Sequence, residues 1–155
     1  MTILNGTTFA VGRGAITTVI GPNGAGKSTV FKTVFGLLPA RSGTVRFDGT
    51  EVTNWTPRRL LAAGICYVPQ GRNIFSELSV RANVELGGIT LGKKLTRERI
   101  PEVLARFPRI RERLHSAAAA LSGGEQKQLE VARSLLLRPQ VILIDEPSIG
   151  LSPLV

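Results

Sequence analysis

The 155-residue chain has one cysteine, one histidine, one tryptophan and one tyrosine, and aromatic residues make up 5% of it. A lone Cys66 excludes an internal disulfide and any multi-cysteine metal site. Within Ile65-Cys66-Tyr67-Val68 it reads as a small buried hydrophobe with no chemistry of its own. No apolar run approaches the roughly 18 residues needed to span a bilayer. The opening Met1-Thr2-Ile3-Leu4-Asn5-Gly6 has no cationic region leading into an apolar core. Neither a transmembrane helix nor a signal peptide is therefore expected, and the chain is expected to stay in the cytoplasm. No internal repeat is visible.

What is present is a globular composition, 43% hydrophobic and 20% charged with 17 glycines and 9 prolines, which excludes disordered, collagen-like and low-complexity classes. The length fits one domain, or a core with a modest insertion. A formal net charge of +9 favours an anionic partner: a nucleotide, a nucleic acid or a membrane surface. Lys93, Lys94, Arg97, Arg99, Arg106, Arg109, Arg111 and Arg113 face only Glu98, Glu102 and Glu112 in the same segment, a local +5. Apart from Phe107 this segment lacks interleaved aromatics for stacking on bases, so it reads as a solvated helical face.

Ala15 to Ile20, β-branched and flanked by Gly14 and Gly21, has the pattern of a buried strand. A glycine-rich turn follows, and then Val30, Phe31, Val34, Phe35 and Leu38 recur at helical spacing until Pro39. Thr44 to Gly49 alternates before an Asp-Gly turn, predicting an exposed antiparallel strand. Thr56-Pro57 predicts an N-cap with proline at the first helical position and a short helix to about Ala63. Ile65–Val68 and Val141–Ile144 read as two further buried strands, each ending in polar residues. From Leu78 to Arg138 helical spacing takes over, with breaks predicted at Gly87-Gly88, Pro101 and Pro108. The expected fold is α/β: a P-loop NTPase core with a mostly parallel sheet, an antiparallel β portion and an inserted α-helical subdomain, incomplete in this chain. The core is assigned to residues 1–77 and 139–155, and the helical subdomain to residues 78–138.

Gly21, Pro22, Asn23, Gly24, Ala25, Gly26, Lys27 and Ser28 fit G-x-x-x-x-G-K-[ST] between a predicted strand and a predicted helix. Glycines let backbone N–H groups curl around phosphate oxygens, and the helix N-terminus adds its positive dipole end. Lys27 is then placed to reach the β- and γ-phosphates and Ser28 to ligate Mg²⁺, with Thr29 adding a bond to the α-phosphate. Asp145 ends an apolar strand, where open parallel sheets place ligands, and can hold Mg²⁺ directly or through water. Glu146 can orient the water that attacks the γ-phosphorus. Gln70, ending the other strand, is placed to contact Mg²⁺ or that water, the ordinary alternative being a turn glutamine bonded to its own backbone. Ser122 and Glu125 have capping-box spacing ahead of an apolar face of Leu129, Ala132, Leu135 and Leu136. Gly123 and Gly124 then bare N–H groups at a helix N-terminus, a second anion site in a chain that already has one. Two half-sites for one triphosphate imply that two chains share each nucleotide.

In this order of motifs the sequence resembles the ATP-binding subunits of ABC transporters: Walker A at 21–28, Q-loop Gln70, the signature Leu121-Ser122-Gly123-Gly124-Glu125-Gln126, Walker B at 141–145 with Glu146, and a D-loop-like Ser148-Ile149-Gly150-Leu151-Ser152. The resemblance implies ATP and Mg²⁺ as cofactors and ATP hydrolysis coupled to transport. It also implies a head-to-tail pair of ATP-binding subunits, identical or paralogous, in which Ser122, Gly123 and Gly124 of one close over the γ-phosphate held by Lys27 of the other. The partners it implies are transmembrane permease subunits, with the chain peripheral on the cytoplasmic face of the cell membrane. About 93 residues separate Ser28 from Ser122, too few for the long coiled-coil insertions of the DNA-repair relatives, so no nucleic-acid partner is expected. Tyr67-Val68-Pro69-Gln70-Gly71-Arg72-Asn73-Ile74-Phe75, with Gly36-Leu37-Leu38-Pro39 before it and Pro147 to Pro153 after it, is similar to the branched-chain amino acid importers. The urea importers share much of this pattern. The region Gly71 to Arg81 would meet the permease, and the basic segment could face anionic headgroups.

The family normally begins with a strand and an adenine-stacking aromatic residue ahead of the position of Met1, and carries a switch histidine beyond that of Val155. His115 precedes the signature and is not that histidine. The chain is therefore expected to be a fragment of a roughly 230-residue subunit with an open sheet edge. One alternative is that the fragment alone binds nucleotide or permease without turnover. A P-loop kinase gives no reason for the Leu-Ser-Gly-Gly-Glu-Gln run.

Overall fold

The structure, a computed structural model, describes residues 4–147, so the D-loop-like run from Ser148 to Ser152 lies outside the described residues. Two compact units are present, Met1–Leu60 and Leu61–Val155.

In the first unit, helix α1 (Lys27–Val34) follows directly on the glycine-rich turn. Its apolar spacing predicts a helix reaching Leu38 before Pro39, yet the helix ends at Val34. The reason is a Schellman closure: Leu37 N–H donates to Lys32 O at 2.8 Å and Gly36 N–H to Thr33 O at 3.1 Å, with Gly36 at φ +72°. Asn54 bonds both backbone groups of Ala40, fastening the chain after this turn. Strands β1 (Arg46–Phe47) and β2 (Thr50–Glu51) pair antiparallel across Asp48-Gly49, both at positive φ, as the Asp-Gly pattern predicts. Helix α2 (Pro57–Ala63) starts as expected, with Thr56 Oγ1 accepting from Arg59 N–H at 3.4 Å, and the Arg59 guanidinium lies 3.4 Å from the centre of the Trp55 ring.

Ala15 to Ile20 is a correction. This segment forms no ladder with any described residue, and Ile16 and Ile20 are 99% and 87% exposed. β-branched composition makes a segment fit to be a strand, but a strand exists only where a neighbour supplies the other half of its hydrogen bonds.

In the second unit β3 (Ile65–Val68) and β4 (Val141–Ile144) pair in parallel register, Ile65 opposite Val141 and Val68 opposite Ile144. β3 is buried and β4 half-buried. Helices α3 (Val80–Gly87), α4 (Lys93–Ala105), α5 (Pro108–Glu112) and α6 (Gly123–Leu135) fill the stretch between the strands. Inward residues of these helices and of the chain joining and following them, Val80, Val84, Val103, Leu104, Ile110, Ala118, Leu121, Leu129, Ala132 and Leu136, form one apolar core. Pro101 does not break α4, contrary to the sequence expectation. The N–H it lacks would have bonded the carbonyl of Arg97, an exposed residue within reach of water, while Val103 and Leu104 lock the next turn into the core.

The basic segment is largely the solvated face its composition predicts, with Lys93, Lys94, Arg97, Arg106, Arg109, Arg111 and Arg113 exposed. Arg99 departs from it: half-buried, it donates through Nη1 to Leu136 O at 2.8 Å and ties α4 to the end of α6. His115 is exposed and Cys66 buried, and burial pushes the Cys66 thiol pKa up, in keeping with an inert side chain. Among the described residues no helix is long and apolar enough to cross a membrane.

The Schellman turn is sensitive to a single methyl group, because a Cβ on Gly36 would stand 2.0 Å from Trp55 O, and the positive φ already disfavours any L side chain. Gly36→Ala is expected to destabilise the protein by about 2 kcal/mol or more, read as a lower midpoint in denaturant unfolding.

Candidate functional site

The glycine-rich loop closes on itself. Ala25 N–H donates to Pro22 O at 3.2 Å, and Gly26, at φ +92°, caps α1 in a conformation that a side chain would oppose. Lys27 folds back across the loop, its ammonium donating to Gly21 O at 2.8 Å and Pro22 O at 2.9 Å. Val30 N–H reaches Gly26 O at 2.9 Å, so the helical ladder starts at the cap residue. The N–H groups of Gly24, Gly26 and Lys27 have no acceptor among the described residues. Unpaired N–H groups at a helix start beside a lysine ammonium are the kind of group that donates to phosphate oxygens. Asn23 lies within the same turn, and Ser28 and Thr29 occupy the first turn of α1.

The second cluster gathers where β3 and β4 end. Asp145 N–H donates to Val68 O at 2.9 Å, carrying the parallel ladder one step past Ile144, and Asp145 is 1% exposed. Tyr67 donates its hydroxyl to Asp145 Oδ2 at 3.0 Å. Burial and then the adjoining carboxylate push the Tyr67 phenol far above its ordinary pKa, so it remains a donor at any physiological pH. Gln70 Nε2 donates to Glu146 Oε2 at 2.7 Å. Its side chain thus bonds Glu146, not its own backbone, the alternative the sequence left open. Glu146 sits at φ +45°, a left-handed position that costs a non-glycine residue roughly 1–2 kcal/mol.

The third part is the start of α6. Ser122 and Glu125 make the capping box in full: Ser122 Oγ accepts from Glu125 N–H at 3.3 Å, and Glu125 Oε2 accepts from Ser122 N–H at 2.8 Å. The N–H groups of Gly123 and Gly124 have no acceptor among the described residues, as for the first turn of any helix. Farther along, α6 grips the chain that follows Gln70. Glu130 accepts from Asn73 N–H and from the Lys127 ammonium, at 2.9 Å for the latter, and Arg133 Nη1 donates to Asn73 O at 2.6 Å. The Arg133 guanidinium also lies 5.3 Å from the centre of the Phe75 ring. Asn83, fully buried on α3, donates to Phe75 O and accepts from Phe75 N–H, both at 2.8 Å. The signature helix and the loop after Gln70 are one hydrogen-bonded body.

Tyr67, Asn73, Asn83, Glu130 and Arg133 carry this architecture, and no motif in the sequence assigns any of them a role. Their signal is faint: Glu130 and Lys127 are charges on the buried side of α6, 5% and 8% exposed, and a charge on an apolar stripe needs a partner.

Oxygen donors suit Mg²⁺, and the Ser28 hydroxyl, the Asp145 carboxylate and the Gln70 amide oxygen are of that type. These donors and the N–H-lined loop are the equipment of a P-loop NTPase. A family model described as ABC transporter matches residues 4–149. The branched-chain amino acid transport ATP-binding protein BraG of Pseudomonas aeruginosa is 40% identical over 152 residues, covering 98% of this chain and 65% of its own. The protein named as probable branched-chain amino acid transport ATP-binding protein LivF of Archaeoglobus fulgidus is 40% identical over 141 residues, covering 91% of this chain and 60% of its own. A solved ATP-binding cassette of an ABC transporter superposes with a TM-score of 0.87 at 31% identity, over 97% of this chain and 65% of that one. The chain belongs to the ABC transporter family, as an ATP-binding domain. It spans less than two thirds of the length of these relatives.

The capping box has a pH signature. The Ser122 N–H and hydroxyl bonds, with help from Arg113 and Arg109, hold the Glu125 carboxyl below its ordinary pKa. A depressed folded pKa means stability that is present above the ordinary glutamate value near 4.3 and is lost as pH falls through the lower folded value. Thermal unfolding between pH 6 and pH 3 is therefore expected to show a steeper acid loss for wild type than for Glu125→Gln, whose midpoint at pH 7 is the lower of the two.

Proposed function

We propose that the protein binds and hydrolyses ATP as a subunit of an ABC importer for branched-chain amino acids. In this reading two ATP-binding subunits share the nucleotides and a transmembrane permease is driven from the cytoplasmic face. The observation that carries hydrolysis is the pairing of Gln70 with Glu146 beside buried Asp145, in a chain that also bears the lysine-topped loop and the capped, N–H-bearing start of α6.

In this reading the loop from Gly21 to Ser28 binds the phosphates through backbone N–H groups, and Lys27 leaves Gly21 O and Pro22 O for the β- and γ-oxygens. Thr29 steadies the α-phosphate. Ser28, Asp145 and Gln70 hold Mg²⁺. Mg²⁺, when bound, neutralises charge that builds on the β- and γ-oxygens during transfer. Glu146 orients and polarises the attacking water, and Gln70, bonded to Oε2, keeps that carboxylate in one orientation with Oε1 turned to the water. Ser122, Gly123 and Gly124 of the second subunit cover the γ-phosphate, so that hydrolysis awaits the closed pair. The solute is supported by likeness to relatives named for branched-chain amino acid transport, and by the run from Tyr67 to Phe75.

Exposure of Ile16 and Ile20 favours a second reading for residues 1–155 alone, a nucleotide- or permease-binding piece with negligible turnover. Sustained Mg²⁺-dependent ATPase by purified residues 1–155 would contradict it.

For the product of the complete reading frame, Lys27→Ala is expected to weaken ATP binding by about 100-fold or more. Glu146→Gln is expected to keep ATP binding and slow turnover by about 10²- to 10⁴-fold; equal turnover in Glu146→Gln and wild type removes Glu146 from the water-orienting role. Uptake of labelled leucine, restored in a deletion strain by wild type but not by Glu146→Gln, supports the importer. Restored urea uptake in its place identifies the other solute.

A further inference from the structure

We infer that Tyr67 is a residue that positions Asp145 for metal binding, an inference that rests on the Mg²⁺-holding role proposed for Asp145. The geometry comes from register. Tyr67 stands opposite Leu143 in the parallel pair, and Asp145, two residues past Leu143, projects on the same face, since side chains alternate along an extended chain. That diagonal brings the phenol within 3.0 Å of Oδ2 although 78 residues separate the two in sequence. A shift of one residue in pairing would turn Tyr67 to the opposite face and end the contact.

Asp145 is 1% exposed, so water cannot fix its orientation as it would for a surface carboxylate. A phenol bonded to Oδ2 resists rotation about the bond that joins the carboxylate to the side chain, and so aims Oδ1 in a constant direction. Donors that hold a ligating carboxylate from behind tune the metal without touching it, and their removal typically costs 10- to 100-fold in metal affinity. Tyr67 is a positioning residue.

The test uses the product of the complete reading frame with a non-hydrolysable ATP analogue, titrating Mn²⁺ by its electron paramagnetic resonance signal. Tyr67→Phe keeps the ring and removes the donor. Expected are a 10- to 100-fold weaker Mn²⁺ affinity, metal-free nucleotide binding within twofold of wild type, and recovery of kcat at saturating Mg²⁺. Replacement of Tyr67 by 4-aminophenylalanine, which puts an N–H donor at the same para position, is expected to recover part of the loss, and it serves as the probe if Tyr67→Phe does not fold. Mn²⁺ affinity within twofold of wild type in Tyr67→Phe, while Asp145→Asn abolishes it, overturns the positioning role alone. Unchanged Mn²⁺ affinity in Asp145→Asn overturns the metal role of Asp145 itself. A lower melting temperature in Tyr67→Phe with unchanged Mn²⁺ affinity assigns the hydroxyl to stability and also overturns the inference.

Discussion

The parallel pairing of Ile65–Val68 with Val141–Ile144 is the constraint on which the rest of the site depends. Both polar pairs at the end of that ladder, Tyr67 with Asp145 and Gln70 with Glu146, join residues more than 70 positions apart. Strand register converts that sequence distance into hydrogen-bond distance, because side chains on adjacent extended chains have only two faces to share. The ladder can carry polar chemistry at its mouth because its body is apolar. Ile65, Cys66 and Val68 are buried, and the polar residues begin where the ladder ends.

A second dependence runs through α6. Its first turn presents two glycine N–H groups and its middle grips the chain that follows Gln70 through Glu130 and Arg133. One helix thus carries both Ser122 at its start and the contacts that hold Asn73. Burying Lys127 and Glu130 together is costly unless each is satisfied, and Glu130 is: one oxygen takes the Lys127 ammonium and the other the Asn73 N–H. The Asn73 backbone is thereby held from both sides by α6. This links the signature to the glutamine loop by hydrogen bonds and packing alone.

Much of the site is legible in the sequence because its chemistry is local. The loop from Gly21 to Ser28 needs glycine and lysine at fixed spacing, the capping box needs serine three residues before glutamate, and the Asp48-Gly49 turn needs two residues tolerant of positive φ. Each of these is written in consecutive residues and forms where expected. Local pattern predicts a break at Pro101 and a helix end at Pro39, yet a tertiary core holds α4 across its proline, and a glycine turn against Trp55 closes α1 at Val34. Ala15 to Ile20 has strand composition without a pairing partner among the described residues.

By itself the sequence determined the kinds of group present: a glycine-rich loop ending in lysine, strand-end carboxylates, and a capped helix with bare N–H groups. It could do so because backbone conformation at glycine and at helix caps is decided within a few residues. Tertiary structure alone decided the pairings. That Gln70 meets Glu146, that Tyr67 meets Asp145, and that Asn73 is clamped by Glu130 and Arg133 depends on strand register and on the packing of α3 and α6 over one core. These contacts span tens of residues, and no local propensity records them, because the energy that fixes them comes from burying the whole apolar face at once.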